Sequence, residues 1–580
     1  MQLAFLESEG SPIRRQYLAL KRQYPDAILF FQLGDFYETF EQDARTVAEE
    51  CDVALTSREM GRGERVPMAG VPVHAAETYI GRLVERGYHI ALCQQVESSS
   101  VATAKGSLVR REVTRVITPG TVVDAALLQS TRANYLAALI TEGQRTGLAY
   151  ADISTGEFAC AELTGPSQRE LARGELWRIE ASECLLVEEE SARDIVPTST
   201  SLTTDRSLFS DPSSTLRAQF GVASIDALGL GGADLAARAA AAILRYVSRT
   251  QAPAGRLLDH LRLYDPLGHM VLDPITRDHL ELVRTSRGRK EGSLLHALDR
   301  TRTAMGARLL AQWLGHPLLD RAAIEARLDV VQAYLLEGAI AQGVAAQLAE
   351  TPDLERLTGR LSQRLLMPRE ALALAQAAER AEILGQTLRQ AGEPALTAYA
   401  DRLALPADLA ARIRDRVADD PPFFGEGVIR PGQSAELDEL RAGSTDGRQW
   451  LLDLERRERE RTGAKALKVG YNRVFGYYLE ISASALAQPL DHYRRQEMGV
   501  ETLGQLLEQL GYQRRQTVAN AERFVLTELR EYETRQDRSR ARMADLERHL
   551  FDELIEEILA HGPTLSRVAA TLAELDVLLA

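Results

Sequence analysis

Between Thr517 and His561 the chain contains neither glycine nor proline. Leu546, Leu550, Leu554 and Ile558 recur there at four-residue intervals, so one face of a helix over this stretch is apolar. At ~1.5 Å per residue a continuous helix would be on the order of 65 Å long. Compact domains do not need helices of that length to close a core. The segment reads as a strut, and a chain built on a strut is modular and elongated.

The remaining patterning divides the 580 residues into further parts, as a length well beyond one hydrophobic core requires; three to five domains are expected. Residues 10–120 read as mixed α/β. IRRQYLALKRQY is an amphipathic helix and AILFFQL a strand; ETFEQDARTVAEECDVAL is a helix running toward a second strand, and helix AETYIGRLVERG leads into strand YHIALCQQV. A second α/β part spans about 130–250, opening with the hairpin-like runs NYLAALIT and GLAYADIST and closing with helix ADLAARAAAAILRYVSRTQ. Beyond about 265 the period is almost wholly helical, apart from a β island formed by ALKVGYN and VFGYYLEIS around a turn at Asn472 and Arg473. The sequence stops at TLAELDVLLA, inside a helical pattern, which is read as a truncation.

Composition excludes several classes. No apolar run reaches the length of a membrane-spanning helix. The start lacks a basic stretch followed by an apolar one, so no export signal is expected. Cys51, Cys93, Cys160 and Cys184 form no CxxC pair, which argues against zinc and disulfides and fits a reducing cytoplasm. A net charge of −14 speaks against a nucleic-acid partner only as a sum, because DNA is sensed by local patches. Two basic patches stand out. Lys105, Arg110, Arg111 and Arg115 meet Glu112 alone. Between Arg461 and Arg495, six cations (Arg461, Lys465, Lys468, Arg473, Arg494 and Arg495) outnumber Glu480 and Asp491. A solvated face is the competing reading of the second. No Gly-Lys dipeptide occurs, so the phosphate-cradling P-loop is absent and this chain is not expected to hydrolyse ATP.

The segment GDFYETF, Gly34 to Phe40, presents two aromatics and a carboxylate where a strand gives way to a helix, with Gly34 allowing a tight turn. Taken alone, Phe36 and Tyr37 read first as ordinary core residues. The segments VPMAGVPVHAAETYIGRLVERGYHIALCQQ, RVITPGTVVD, ADISTGEF, SLLHALDRTRTAMGARLLAQWLGHPL, RERTGAKALKVGYNRVFGYYLEIS and NAERFVLTELREYE follow it in order. With them the chain resembles the bacterial MutS family of DNA mismatch repair proteins over nearly its full length.

The resemblance implies a mismatch-binding α/β domain over 1–122, a ribonuclease-H-like connector over 128–255 and the first part of a long-helix core and lever domain over 265–437. A small β clamp over 438–525 and returning lever helices over 526–580 complete it. It implies binding of mispaired bases and small insertion or deletion loops in duplex DNA. The family's Phe-x-Glu motif falls on Phe36, which would wedge into the duplex and stack on the mispaired base, and on Glu38. Against the bases Glu38 would be protonated and donate a hydrogen bond. Ser57, Arg58, Met68 and His74 are candidates to brace the kinked backbone. Lys105, Arg110, Arg461, Lys465, Lys468, Asn472, Arg473, Arg494 and Arg495 are candidates to touch phosphates. ATP and Mg²⁺ would enter only with an ATPase domain beyond this sequence, as would most homodimer contacts. A MutL-type repair partner would dock on the connector.

One stretch departs from the family pattern. RRQ occurs at Arg494 and again at Arg514, leaving 20 extra residues, EMGVETLGQLLEQLGYQRRQ, near 497–516. Val500, Leu503, Leu507 and Leu510 suggest an added amphipathic turn or helix, either lengthening the clamp or folding against it. Alternative functions are a paralogue acting on recombination intermediates, which typically lacks the Phe-x-Glu domain, a metal-dependent nuclease using Asp152 and Glu157 on the connector, and a purely structural helical scaffold.

Overall fold

The computed structural model describes residues 11–60, 64–95, 110–188, 193–251, 257–423, 425–464, 466–472, 476–486, 500, 502–518 and 520–580. The chain forms two compact units. The larger takes Met1–Leu366, Gln376–Leu409 and Ile558–Ala580; the smaller takes Met367–Ala375 and Ala410–Glu557.

In the larger unit, helix α1 (Pro12–Gln23) is started by Ser11, whose side chain accepts the Arg14 N–H, and by Pro12 in the first turn. Strand β1 (Ala27–Leu33), β2 (Phe36–Phe40), helix α2 (Glu41–Cys51), β3 (Thr56–Glu59), β4 (Arg65–Pro72), helix α3 (Ala76–Glu85), β5 (His89–Gln95) and β6 (Arg111–Ile117) follow. They build a six-stranded sheet in the order β3-β4-β2-β1-β5-β6, with β1 parallel to β5 and every other neighbour antiparallel. The first five residues of AILFFQL are all buried because β1 is covered on both faces. Leu29, Phe31 and Phe40 pack with Tyr17 of α1, while Ile28, Phe30 and Tyr37 pack with Val47, Ile80 and Leu83 of α2 and α3.

The second sheet opens with a meander of β7 (Tyr135–Glu142), β8 (Arg145–Asp152) and β9 (Glu157–Thr164), whose first two strands are the hairpin expected from NYLAALIT and GLAYADIST. Helix α4 (Gln168–Ile179), β10 (Glu183–Leu186), β11 (Ser201–Thr204), α5 (Pro212–Phe220), α6 (Asp234–Thr250) and β12 (Arg262–Leu263) complete the order β11-β10-β7-β8-β9-β12. The alanines of α6 are buried and let it lie close on β8. At Gly147 the approach is so close that a Cβ would stand 2.1 Å from the Leu235 carbonyl carbon. All four cysteines are buried and free, and burial pushes the thiols of Cys93 and Cys160 up to about 12.

The two sheets meet at Glu183. Its carboxylate is fully buried. It accepts hydrogen bonds from the Thr118 hydroxyl (2.6 Å) and the Gly120 N–H (3.0 Å), which follow β6, and from Thr203 (2.7 Å) and Tyr246 (2.6 Å) of the second sheet and α6. His89 Nε2, at the start of β5, lies 3.5 Å away. Burial and the neighbouring carboxylate push the Tyr246 hydroxyl well above its ordinary range, so it stays a donor.

The principal helices beyond are α7 (Ala304–Gly315), α8 (Arg321–Leu336), α9 (Leu354–Ser362), α10 (Pro368–Ala391), α11 (Ala435–Thr462), α12 (Leu503–Gln509), α13 (Thr527–Leu559) and α14 (Gly562–Leu579). Within the larger unit, α14 holds the start of α7. Asp576 accepts from the N–H groups of Arg302 (2.8 Å) and Thr303 (2.7 Å), and the Thr303 hydroxyl caps the Gly306 N–H at 2.9 Å. Within the smaller unit, Trp450 of α11 stacks on Tyr532 of α13 with centroids 4.2 Å apart. Glu547 of α13, almost wholly buried, accepts from the Gly427 (2.9 Å), Val428 (2.6 Å) and Ile429 (3.1 Å) N–H groups and from Arg441 (2.8 Å).

The third sheet, in the smaller unit, corrects the strut. Strands β13 (Lys468–Asn472), β14 (Gly476–Ser482), β15 (Gln513–Val518) and β16 (Ala521–Val525) pair antiparallel in the order β13-β14-β16-β15. The helix expected from Thr517 begins only at Thr527, because Thr517–Val518 and Ala521–Val525 are claimed by strand pairing with each other and with β14. At ~1.5 Å per residue, the 33 residues of α13 span about 50 Å. The extra segment folds against the sheet: Leu503, Leu506 and Leu507 of α12 join Leu467, Leu479, Ile481 and Phe524 in one core.

Glu183→Gln is expected to lower stability by ~1–3 kcal/mol, since the charge-assisted bonds weaken and the new amide N–H₂ faces donors. A downward shift of the thermal midpoint in circular dichroism checks this; an unchanged midpoint would show that the join is held by other contacts.

Candidate nucleic-acid interface

The exposed face of interest is set by a hairpin. Leu33 of β1 pairs with Phe36 of β2, so the loop is only Gly34 and Asp35. Two-residue hairpin loops of type II′ need a positive φ at their first residue, and Gly34 has φ +62°. The Asp35 carbonyl accepts the Val73 N–H at 2.9 Å, fastening the loop to the chain just beyond β4. GDFYETF is therefore not a turn leading straight into a helix. Its last five residues are a strand, and the helix starts at Glu41.

Strand geometry gives the motif its spacing. Successive side chains alternate in direction. Tyr37 and Thr39 are buried, whereas Phe36 is 47% exposed and Glu38 partly so. Phe36 and Glu38 thus share one face, near the edge of the cover that α1 provides for Phe40. Burying a phenylalanine is worth about 1.5–3 kcal/mol, so leaving Phe36 in water forgoes stability that the rest of the sheet secures.

Glu38 lies opposite Phe31 on β1 and Gly70 on β4, and Phe36 lies opposite Pro72. Arg58 on β3 donates from Nη1 to Glu38 Oε2 at 2.5 Å. Met68, half-buried, is on β4 opposite Phe40 and Thr56. His74 is exposed just after β4, two residues past the partner of Phe36. The structure therefore gathers Phe36, Glu38, Arg58, Met68 and His74 on or beside β2 and β4. Ser57 is held differently: Arg65 donates to its hydroxyl at 2.9 Å. The basic patch before β6 largely serves the fold. Arg111 is buried over the Phe31 ring, Arg115 pairs with Asp124, and Arg110 pairs with Glu112 at 2.6 Å on the opposite edge of the sheet from β3. Lys105 lies outside the described residues.

In the third sheet, Lys468 is exposed opposite Glu480, which Arg523 binds at 2.9 Å. Asn472 is half-buried at the end of β13. Arg461 pairs with Glu458 at 2.7 Å and lies over the Tyr512 ring. Lys465, Arg473, Arg494 and Arg495 lie outside the described residues. The second RRQ copy supplies β15 instead. Its register breaks between Arg514 and Gln516, so Arg515 sits at a bulge and is exposed; Tyr471 on β13 is 57% exposed. Sequence reading missed both, although the repeated RRQ was the available signal for Arg515.

Asp152 and Glu157, the candidate metal carboxylates, serve local structure. Asp152 accepts from the Ser154 N–H (2.8 Å), the Ser154 hydroxyl (2.6 Å) and the Asn134 N–H (2.9 Å), and Glu157 accepts from Tyr135 (2.7 Å) and Gln312 (2.8 Å). Among the described residues, no group of three or more His, Cys, Asp and Glu is placed to hold a metal ion.

Three family models match the sequence: MutS domain I over residues 11–126, MutS domain II over 134–262 and MutS domain III over 275–580. The DNA mismatch repair protein MutS of Dehalococcoides mccartyi is 38% identical over 575 residues, which cover 98% of this chain and 64% of the relative. That of Symbiobacterium thermophilum is 40% identical over 584 residues, 98% of this chain and 64% of the relative. That of Anaeromyxobacter dehalogenans is 40% identical over 575 residues, 98% and 62%. The chain spans somewhat less than two thirds of the length of these relatives.

Because Gly34 holds a left-handed conformation, Gly34→Val is expected to cost about 1–2 kcal/mol and Gly34→Asn less. Faster amide exchange at Phe36 in the valine variant, with asparagine close to the parent, is the expected result.

Proposed function

Since this chain belongs to the MutS family of DNA mismatch repair proteins, we propose that it binds duplex DNA at mispaired bases and small insertion or deletion loops. Phe36 is the wedge and Glu38 the base contact. The observation that carries this reading is the exposure of Phe36 on the face it shares with Glu38, in a sheet whose other phenylalanines are buried.

A phenylalanine pushed between base pairs from the minor groove unstacks a step and bends the duplex, at a cost of a few kcal/mol. A mispaired step resists that deformation less, so the same ring enters it more readily, and deformability becomes affinity. Glu38, two residues on, is the polar group that arrives with the ring. Its reading as a protonated donor to the base satisfies a carboxyl group that would otherwise face a polyanion. Met68 and His74, beside the pair, brace the bent strand.

In the same reading the second sheet is the ribonuclease-H-like connector and the site for a MutL-type repair partner. Helices α11 and α13 are levers, and the third sheet is a clamp that follows phosphates without reading sequence, using exposed cations such as Lys468 and Arg515. The whole protein acts as a homodimer in the cytoplasm, at the nucleoid, and is regulated by ATP and Mg²⁺ at an ATPase domain. Mismatch reading is assigned to the portion described, and ATP hydrolysis is not.

Fluorescence-anisotropy titration with a paired and a G·T-containing duplex tests the reading. The chain is expected to prefer the G·T duplex on the order of tenfold, equivalent to ~1.4 kcal/mol, and Phe36→Ala is expected to erase the preference. A folded Phe36→Ala protein that keeps it would overturn the wedge assignment.

A further inference from the structure

The ion pair between Arg58 and Glu38 is unusual in its reach. The two residues sit on strands separated by β4, so their backbones are about 10 Å apart across the sheet. Arg58 faces Val66 and Glu38 faces Gly70, four residues further along β4. Both side chains must extend to meet at 2.5 Å. Neighbouring cations are engaged elsewhere: Arg65 holds Ser57, and Arg14 is bound by Glu41 and Glu64.

We propose that Arg58 is a specificity-determining latch, which holds the Glu38 carboxylate in the DNA-free chain and releases it only when a DNA phosphate takes the guanidinium. This rests on the reading of Phe36 and Glu38 as the DNA-contacting pair. The Arg58 side chain is 40% exposed and that of Glu38 16%, so the guanidinium is the accessible partner. Phosphate and carboxylate compete for the same planar donor. On a stiff, fully paired step Phe36 stays out, no phosphate is drawn down to β3, and Glu38 remains closed. On a deformable step the wedge enters, the bent backbone approaches Arg58, and the freed Glu38 turns to the base. The phosphate contact and the base contact are thereby made together or not at all. Discrimination is sharpened because neither contact is available without the other.

The test is a double-mutant cycle on the complete chain, read by anisotropy with paired and G·T duplexes at several salt concentrations. Glu38→Gln frees Arg58 and is expected to tighten paired DNA on the order of two- to fivefold, with a salt slope steeper by about 0.9 from the added phosphate contact. With Arg58→Ala as background the tightening and the steeper slope are expected to vanish; with Arg58→Lys, which keeps the cation, they are expected to persist in part. Equal tightening in the parent and Arg58→Ala backgrounds would mean that carboxylate–phosphate repulsion, not a latch, limits paired binding, and would overturn the proposal. So would an unchanged affinity for paired DNA in Glu38→Gln. A parent chain that shows no G·T preference, or keeps it in Phe36→Ala, overturns instead the reading of the site on which the latch depends.

Discussion

The arrangement of the first two sheets rests on a carboxylate. Glu183 is buried, and among the described residues no lysine or arginine pairs with it; two threonine hydroxyls, a tyrosine and a backbone N–H surround it, with His89 alongside. A buried anion is tolerated only where its acceptor sites are satisfied. The TPGT turn after β6 can therefore take few other positions, and the sheet that carries Phe36 is fixed against the second sheet through it.

Against that fixed frame the first sheet is unequally covered. Its centre, β1, is enclosed on both faces by α1, α2 and α3, whereas the hairpin end of β2 projects beyond the apolar cover. The stability of the sheet is concentrated where it is not used for binding. An exposed ring and a mostly covered carboxylate are tolerated at one rim because the ladder beneath them is anchored elsewhere.

Much of this was legible in the sequence. AILFFQL was read as a strand, NYLAALIT and GLAYADIST as a hairpin and ADLAARAAAAILRYVSRTQ as a helix, and each is so in the structure. The motif FYETF was placed one element too late. Helix α2 begins without a capping side chain, with Phe40 in the cap position, so the usual sign of a helix start was missing, and the acidic residues after it drew the helix back to Glu38. AERFV was lost to the strut for the opposite reason: Ala, Glu and Arg favour helix, and only pairing with β14 makes them a strand. The contacts that engage Arg461, Arg111 and Arg115 join residues whose proximity depends on local folding and strand pairing, so counts of local charge overstated the free cations.

The extra segment between the two RRQ copies has a wider meaning for how such a chain can lengthen. Closing a longer loop costs only the logarithm of its length, and here the added residues also bring leucines that enlarge the core of the small sheet. The second RRQ occupies the edge strand. Length placed between two strands of a small sheet is thus stabilised by the sheet's own core, and the second RRQ, on an edge strand, lies where further length meets solvent.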